Sequence, residues 1–217
     1  MKKIFFVLII FLMNFSAANA AQIDSAKFNG DDDLIYPVVF TKNPDAAGKI
    51  NAVIRSEVKS FLIRADEMAA DGKDEEKIPI QSRAISFEIP CNHENGILSI
   101  ILTEYVHYKN AAHPLTYRRA LNFNSDSGKR ILPESLSEIA HEEFGESSYS
   151  PKNLTRKLKN YAKENNIFLY EDFRQLTTIP EDFYFDENLH VHFIFQLYEV
   201  APYAAGIIEF DATPKKF

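Results

Sequence analysis

The sequence predicts an α+β fold: a mostly antiparallel sheet with helices packed on it, and one long N-terminal amphipathic helix. Three observations carry this expectation. Apolar residues recur at helical spacing after Asn43-Pro44, the period switches to two from Ser82 onward, and strands and helices come in groups rather than in strict alternation. The chain has 217 residues, 46% of them hydrophobic and 25% charged, which excludes disordered, collagen-like and coiled-coil classes. Its length suits one sizeable core or two small subdomains packed together.

From the N-terminus, Lys2 and Lys3 precede the apolar run Ile4 to Met13, and Ala18-Asn19-Ala20 offers a small-residue cleavage site before Ala21. Charge, length and order are those of a secretory signal peptide over residues 1–20. The apolar run is too short to span a bilayer, and no later segment reads as a span, so the mature chain is expected in the periplasm or secreted. No Cys lies near the cleavage point, which argues against a lipid anchor there.

Residues 21–33 read as a polar lead-in. Leu34 to Phe40 reads as a first strand, with Pro37 placing it at an edge or a strand start. Asn43 caps a helix with Pro44 at its first position. Ile50, Val53, Ile54, Val58, Phe61, Leu62 and Ala65 then mark one face of a helix over 44–69, ending before Asp71-Gly72. After the charged stretch Lys73 to Lys77, Ser82 to Cys91 and Ile97 to Tyr108 alternate around a turn at 92–96. In the second run Leu98, Ile100, Leu102 and Val106 share one face, and Ser99, Ile101, Thr103, Tyr105 and His107 the other. Tyr117 to Asn124 is a third strand, followed by a turn at 126–129 into Arg130 to Leu132. Pro133 to Phe144 is a helix candidate, and Ser150-Pro151 opens another, lined by Leu154, Leu158 and Tyr161 and stopping near Asn165-Asn166. Asp182 to Phe185, Leu189 to Leu197 and Gly206 to Asp211 are strands, with a hairpin turn at 186–188.

Composition narrows the function. The formal charge of −7 becomes −9 once Lys2 and Lys3 leave with the signal peptide, and no basic run stands out. A nucleic-acid binder is therefore not expected, and a cationic partner is favoured over an anionic one. No glycine-rich strand-to-helix turn and no G-x-S-x-G elbow occur, so no cofactor is expected. Cys91 is the only cysteine; sharing the parity of Ile85, Phe87 and Ile89, it reads as a small buried apolar residue.

Site candidates are few. His190 and His192 fall on one side of a strand, a geometry zinc or copper uses, but a third ligand such as His107 or Glu199 would have to join them. No metal is expected on the pair alone. Hydrolysis needs two carboxylates at a controlled separation. Glu104, Glu181, Asp182, Glu199 and Glu209 are available, and Glu104 and Glu199 stand out because each interrupts an apolar strand. Tyr105, Tyr108, Tyr117, Tyr198 and Tyr203 cluster around the strand ends and offer a rigid amphipathic surface for sugar rings or protein side chains.

Two stretches resemble a known exported family. Tyr105-Val106-His107-Tyr108-Lys109-Asn110-Ala111-Ala112-His113-Pro114, with Thr116 and Ala120-Leu121-Asn122-Phe123, is similar to a "Y-x-Y-x-G-G-A-H-P … N-x-D" segment. Leu197-Tyr198-Glu199-Val200-Ala201-Pro202-Tyr203-Ala204-Ala205-Gly206, after Phe183-Tyr184-Phe185, is similar to a "Y-E-I-A-P-Y-A-A-G" ending. The family is domain-of-unknown-function family 3298, found in RsiV-type anti-sigma factors and PdaC-type peptidoglycan deacetylases. Its usual N-terminal companion, family 4163, is similar to the Tyr36-Pro37 strand plus the Ile50-Asn51 helix. The resemblance divides the mature chain into an N-terminal part, 21–91, and a C-terminal part, 92–217. It implies a non-catalytic binding module at the cell wall, whose partner is peptidoglycan, another glycan or a lysozyme-like cationic protein. His113 and Pro114 join the five tyrosines as the implied binding residues. The alternative is a small wall-glycan hydrolase using Glu104 and Glu199. One departure touches the site: the paired glycines before the family's Ala-His-Pro are Asn110 and Ala111 here, and only the asparagine readily takes a left-handed conformation.

Overall fold

The computed structural model describes residues 20–70, 78–136 and 149–214. The expected signal peptide lies outside these residues save for Ala20. So do Lys73 to Lys77 and most of the helix expected over 133–144, of which 133–136 are helical.

The stretch expected as a polar lead-in is a strand. β1 (Gln22–Lys27) pairs antiparallel with β2 (Ile35–Phe40), setting Ile23 opposite Val39 and Ser25 opposite Pro37. Its pattern is weak because only Ile23 and Ala26 turn inward, where both pack half-buried on the core. Ala21, first after the expected cleavage point, is already held: its N–H donates to Asn92 Oδ1 at 2.9 Å and its carbonyl accepts from Asn92 Nδ2 at 2.7 Å.

Helix α1 (Pro44–Ala70) begins where its sequence says, with Asn43 Oδ1 accepting from the N–H groups of Asp45 and Ala46. Ile50, Ile54, Val58, Phe61 and Ala65 form its buried face. The Asn51 amide both donates to and accepts from the Val39 backbone at 2.8 Å, fixing the β1–β2 ribbon to the helix. At the other end of the core, the turn after residue 125 presses so closely on α1 that a Cβ on Gly128 would lie 2.6 Å from the Ala46 carbonyl oxygen. That position also has φ +71°, so glycine is required twice over.

The central sheet is β3 (Ile80–Asn92), β4 (Ile97–Tyr108) and β5 (Leu115–Asn124), antiparallel and in sequence order. Leu98, Ile100, Leu102 and Val106 meet α1 in an aliphatic core. A bulge between Glu88 and Cys91 shifts the β3 register and reverses parity beyond it. Cys91 is buried as expected, but it leaves the face of Ile85, Phe87 and Ile89 and enters a second core. Burial pushes its thiol up to about 11.

That second core lies against the C-terminal elements. Helix α2 (Pro151–Glu164) is capped by Ser150, and β6 (Phe183–Phe185), β7 (Val191–Phe195) and β8 (Ile208–Asp211) form an antiparallel sheet. Phe183, Phe185, Phe193, Phe195 and Phe210 stack there with Tyr149, Leu154 and Leu158. Arg130 to Leu132 contributes only an isolated bridge, Arg130 to Phe123, not a strand.

The two sheets are joined by buried polar bonds. Ser99 Oγ donates to Asn122 Oδ1 at 2.7 Å and accepts from the Phe185 N–H at 3.0 Å, while the Asn122 amide donates to the Phe183 carbonyl. The outer edge of β5 is closed the same way. Gln196 takes the Arg118 N–H and carbonyl, and Asp182 Oδ1 takes the Ala120 N–H at 3.0 Å. Side chains thus satisfy backbone groups that an edge strand would leave open.

Candidate functional site

Two loops meet at one end of this seam. In the first, Asn110 turns the chain at φ 65°, and Ala111 keeps an ordinary φ while donating its N–H to the Tyr108 carbonyl. A single left-handed residue, supplied by asparagine, is enough for this turn. The loop then carries His113 and Pro114 into β5. In the second, Gln196 N–H donates to Glu199 Oε2 at 2.7 Å, and Glu199 N–H donates back to the Gln196 carbonyl. This tight turn holds Tyr198 at φ 65°, a strained conformation for a tyrosine, and leaves it 48% exposed.

The rings converge. The His113 imidazole stacks on Tyr203 at 3.7 Å between centroids and 18° between planes, and Tyr198 packs 5.7 Å from Tyr203. Tyr198 Oη lies 3.0 Å from His113 Nε2, and Tyr203 Oη donates to the Pro114 carbonyl at 3.4 Å. Four of the seven expected binding residues, His113, Pro114, Tyr198 and Tyr203, therefore form one rigid patch. The other three stand apart from it. Tyr108 is buried, with its hydroxyl donating to the Ala65 carbonyl at 3.0 Å, so it belongs to the core and not to an exposed surface. Tyr117 lies under the Arg119 guanidinium, 5.7 Å from it, and Tyr105 sits mid-strand between Ala84 and Thr116.

The two carboxylates that interrupt strands have different surroundings. Glu104 has no solvent exposure, and its Oε2 accepts from Arg64 Nη2 at 2.8 Å while Oε1 has no partner. Burial pushes its carboxyl up to about 7, with Arg64 opposing that shift and Glu57 adding to it. Glu199 is committed to the turn of residues 196–199. Burial also raises its pKa, against the Gln196 N–H. It lines a cleft of about 390 Å³ with Arg119, Ile179, Asp182 and Gln196, whereas Glu104 does not reach that cleft. No solvent-open site is shared by the two acids.

The histidines His190 and His192 both face Asp186, at 3.6 and 3.2 Å, and His190 also lies 3.6 Å from Asp211. The His192 ring stacks on Tyr184. Among the described residues no group of three or more His, Cys, Asp or Glu is arranged to hold a metal ion.

Residues 134–212 match the family described as "Protein of unknown function (DUF3298)". No curated protein matches. Among solved structures, a DUF3298 family protein from Pseudomonas aeruginosa PAO1 is similar with a TM-score of 0.46 and 15% identity, over 89% of this chain and 88% of that one. A member of the family from Bacteroides fragilis NCTC 9343 has the same score and identity, over 88% and 87%. The matched span, residues 134–212, holds α2 and β6 to β8, hence the Tyr198 and Tyr203 side of the patch. His113 and Pro114 are contributed from outside it.

A second cluster was not foreseen from sequence. Arg64 of α1, Arg119 of β5 and Arg130 line a cleft of about 310 Å³ with Glu57, Glu181 and Asp182. Asp182 Oδ2 accepts from Arg119 Nη1 at 3.0 Å and from the Gln196 amide at 2.9 Å. Burial pushes the Asp182 carboxyl up, and these donors with the Ala120 N–H pull it back. Alternation along β5 puts Arg119 on the helix-facing side, among apolar neighbours, and that was the available signal.

Proposed function

We propose that this chain is a non-catalytic exported binding module acting at the cell wall, which engages peptidoglycan or another glycan, or a lysozyme-like cationic protein. The observation that carries the reading is the exposed stack of His113, Tyr198 and Tyr203, held by two loops and strained at Tyr198. Flat rings with fixed hydroxyls suit the apolar faces of pyranose rings and equally the side chains of a protein partner. Strain retained in an exposed residue is characteristic of a surface kept for contact. The signal-like N-terminus and the resemblance to RsiV- and PdaC-type modules, with a family 4163-like N-terminal part, support the location. The mature charge of −9 supports a cationic partner. A wall hydrolase built on Glu104 and Glu199 has less support, because the Glu104 carboxylate is sealed from solvent.

The test is calorimetric titration of residues 21–217 with lysozyme at low and physiological salt, followed by sedimentation with peptidoglycan. Salt-sensitive heat favours the protein partner, and sedimentation without heat favours glycan. The proposal is abandoned if the protein binds neither.

A further inference from the structure

The arginine-lined cleft carries a demand that no described residue meets. Two of its guanidinium groups are committed, Arg64 to Glu57 and Glu104 and Arg119 to Asp182. Arg130 makes no ion pair with any described carboxylate. It lies over the Phe123 ring at 5.4 Å, and burial lowers its pKa while the more distant Glu57, Asp182 and Glu181 hold it up. The Nε atoms of Arg119 and Arg130 are both buried without a hydrogen-bond partner. Buried charged groups are nearly always paired, so the Arg130 guanidinium, lining the cleft without an ion pair among the described residues, points to an acceptor supplied by a ligand.

The cleft also says what kind of acceptor. Glu57, Glu181 and Asp182 share it with the arginines, so a phosphate dianion would meet three like charges within its own small volume. A planar monoanion instead matches the parallel donors of a single guanidinium. Exposed Glu181 at the rim gives a partner for an N–H of the same ligand. At about 310 Å³ the space is at the small end for ligand sites and takes one or two amino-acid residues. We propose that this cleft binds a carboxylate ligand of the class of a peptide C-terminus, with Arg130 as its bidentate anchor. The proposal does not depend on the aromatic patch or on what that patch binds.

The experiment follows the arginine Nε–H resonances of the whole protein by NMR during titration with N-acetyl-alanyl-alanine to about 10 mM, a range that captures weak small-ligand binding. The same dipeptide with a C-terminal amide and inorganic phosphate are titrated in parallel. The expected result is a saturating shift of the Arg130 and Arg119 signals with the free acid, and binding at least about tenfold weaker for the amide, as loss of one charge-assisted pair implies. No saturating shift, or equal affinity for the amide, overturns the site. Tighter binding of phosphate overturns the carboxylate class. Arg130→Lys keeps the charge but loses the fork. It is expected to bind the dipeptide about tenfold more weakly with an unchanged melting temperature, and undiminished affinity would remove Arg130 from the role.

Discussion

The two faces of the β3–β5 sheet are built on different physics. The face toward α1 is mainly aliphatic, with Leu98, Ile100, Leu102 and Val106 meeting Ile50, Ile54 and Val58 beside the rings of Phe61 and Phe123, and it is held by burial that tolerates sliding and repacking. The opposite face meets the C-terminal elements through Cys91 and Ile97, which join the phenylalanine-rich core, through Ile101 and Ala120 against Tyr184 and Ile194, and through buried bonds from Ser99 and Asn122 and half-buried ones from Asp182 and Gln196. Those bonds demand one register, so the second face fixes where the C-terminal loops sit relative to β5. The aromatic patch lies at one end of this specified seam, and the clefts that Arg119 and Asp182 share open at the β5 edge that the seam closes. Nonspecific burial builds the scaffold, and directional bonding places the surfaces that can act. Glu104 and Arg119 are exceptions on the face toward α1: Glu104 is a buried acid paired with Arg64, and Arg119 pairs across the edge of β5 with Asp182.

The largest effect is expected from breaking the ring-built side. Phe193 is fully buried against Phe183, Tyr149 and Phe210. Phe193→Ala is expected to cost about 4 kcal/mol in urea denaturation. Because Ser99 and Asn122 tie the two sides together, the loss should appear as one transition. Two separated transitions would mean that the faces are independent units.

On the other side, Arg64→Met leaves Glu104 buried without its cation and is expected to cost about 3 kcal/mol at alkaline pH. Glu104 itself sets a pH dependence. Its folded pKa of about 7 lies above the ordinary 4.5, so the native state holds that proton more tightly than the unfolded chain. The stability this gives is complete below about 4.5 and is lost as pH rises through about 7, amounting to about 3 kcal/mol. Glu104→Gln removes the titration, and its stability should be flat over the interval in which the wild type declines. Parallel declines in both proteins would take the effect away from Glu104.

A smaller change sharpens the role of the seam. Asn122→Ala strands the Phe183 carbonyl and the Ser99 hydroxyl and is expected to cost about 2 kcal/mol. Its signature is a loss of order at β6 greater than at α1, read by hydrogen exchange. The smallest effect belongs to the exposed patch. Tyr198→Gly relieves left-handed strain of about 1 kcal/mol and gives back a similar amount in unfolded-state entropy, so its melting temperature should stay near that of the wild type. A marked loss of stability would make Tyr198 a structural residue.

What the sequence disclosed follows the same division. The helix over 44–69 and the strand Ile97–Tyr108 were legible because a strict period marks each buried face. β1 was not, since it half-buries only Ile23 and Ala26 and is defined by its partner strand. The parity of Cys91 was misread because a bulge carries no residue-type signature beyond Pro90 beside it. Tyr108 belonged by its own alternation with Leu98 and Val106, and its place in the core was readable there. Half of the aromatic patch sat in each of two motifs 85 residues apart, and those motifs were visible. The arginine cleft was not, because Arg64, Arg119 and Arg130 come from a helix, a strand and an isolated bridge, and only the fold brings them together.

The central claim is that the His113–Tyr198–Tyr203 patch is the contact surface, and retention on peptidoglycan and on immobilised lysozyme, measured side by side for wild type and Tyr198→Gly, tests it most directly. The account predicts that the wild type is held by one of the two and that Tyr198→Gly, equally folded, is released at least about tenfold more readily. Equal retention of the two proteins would contradict it.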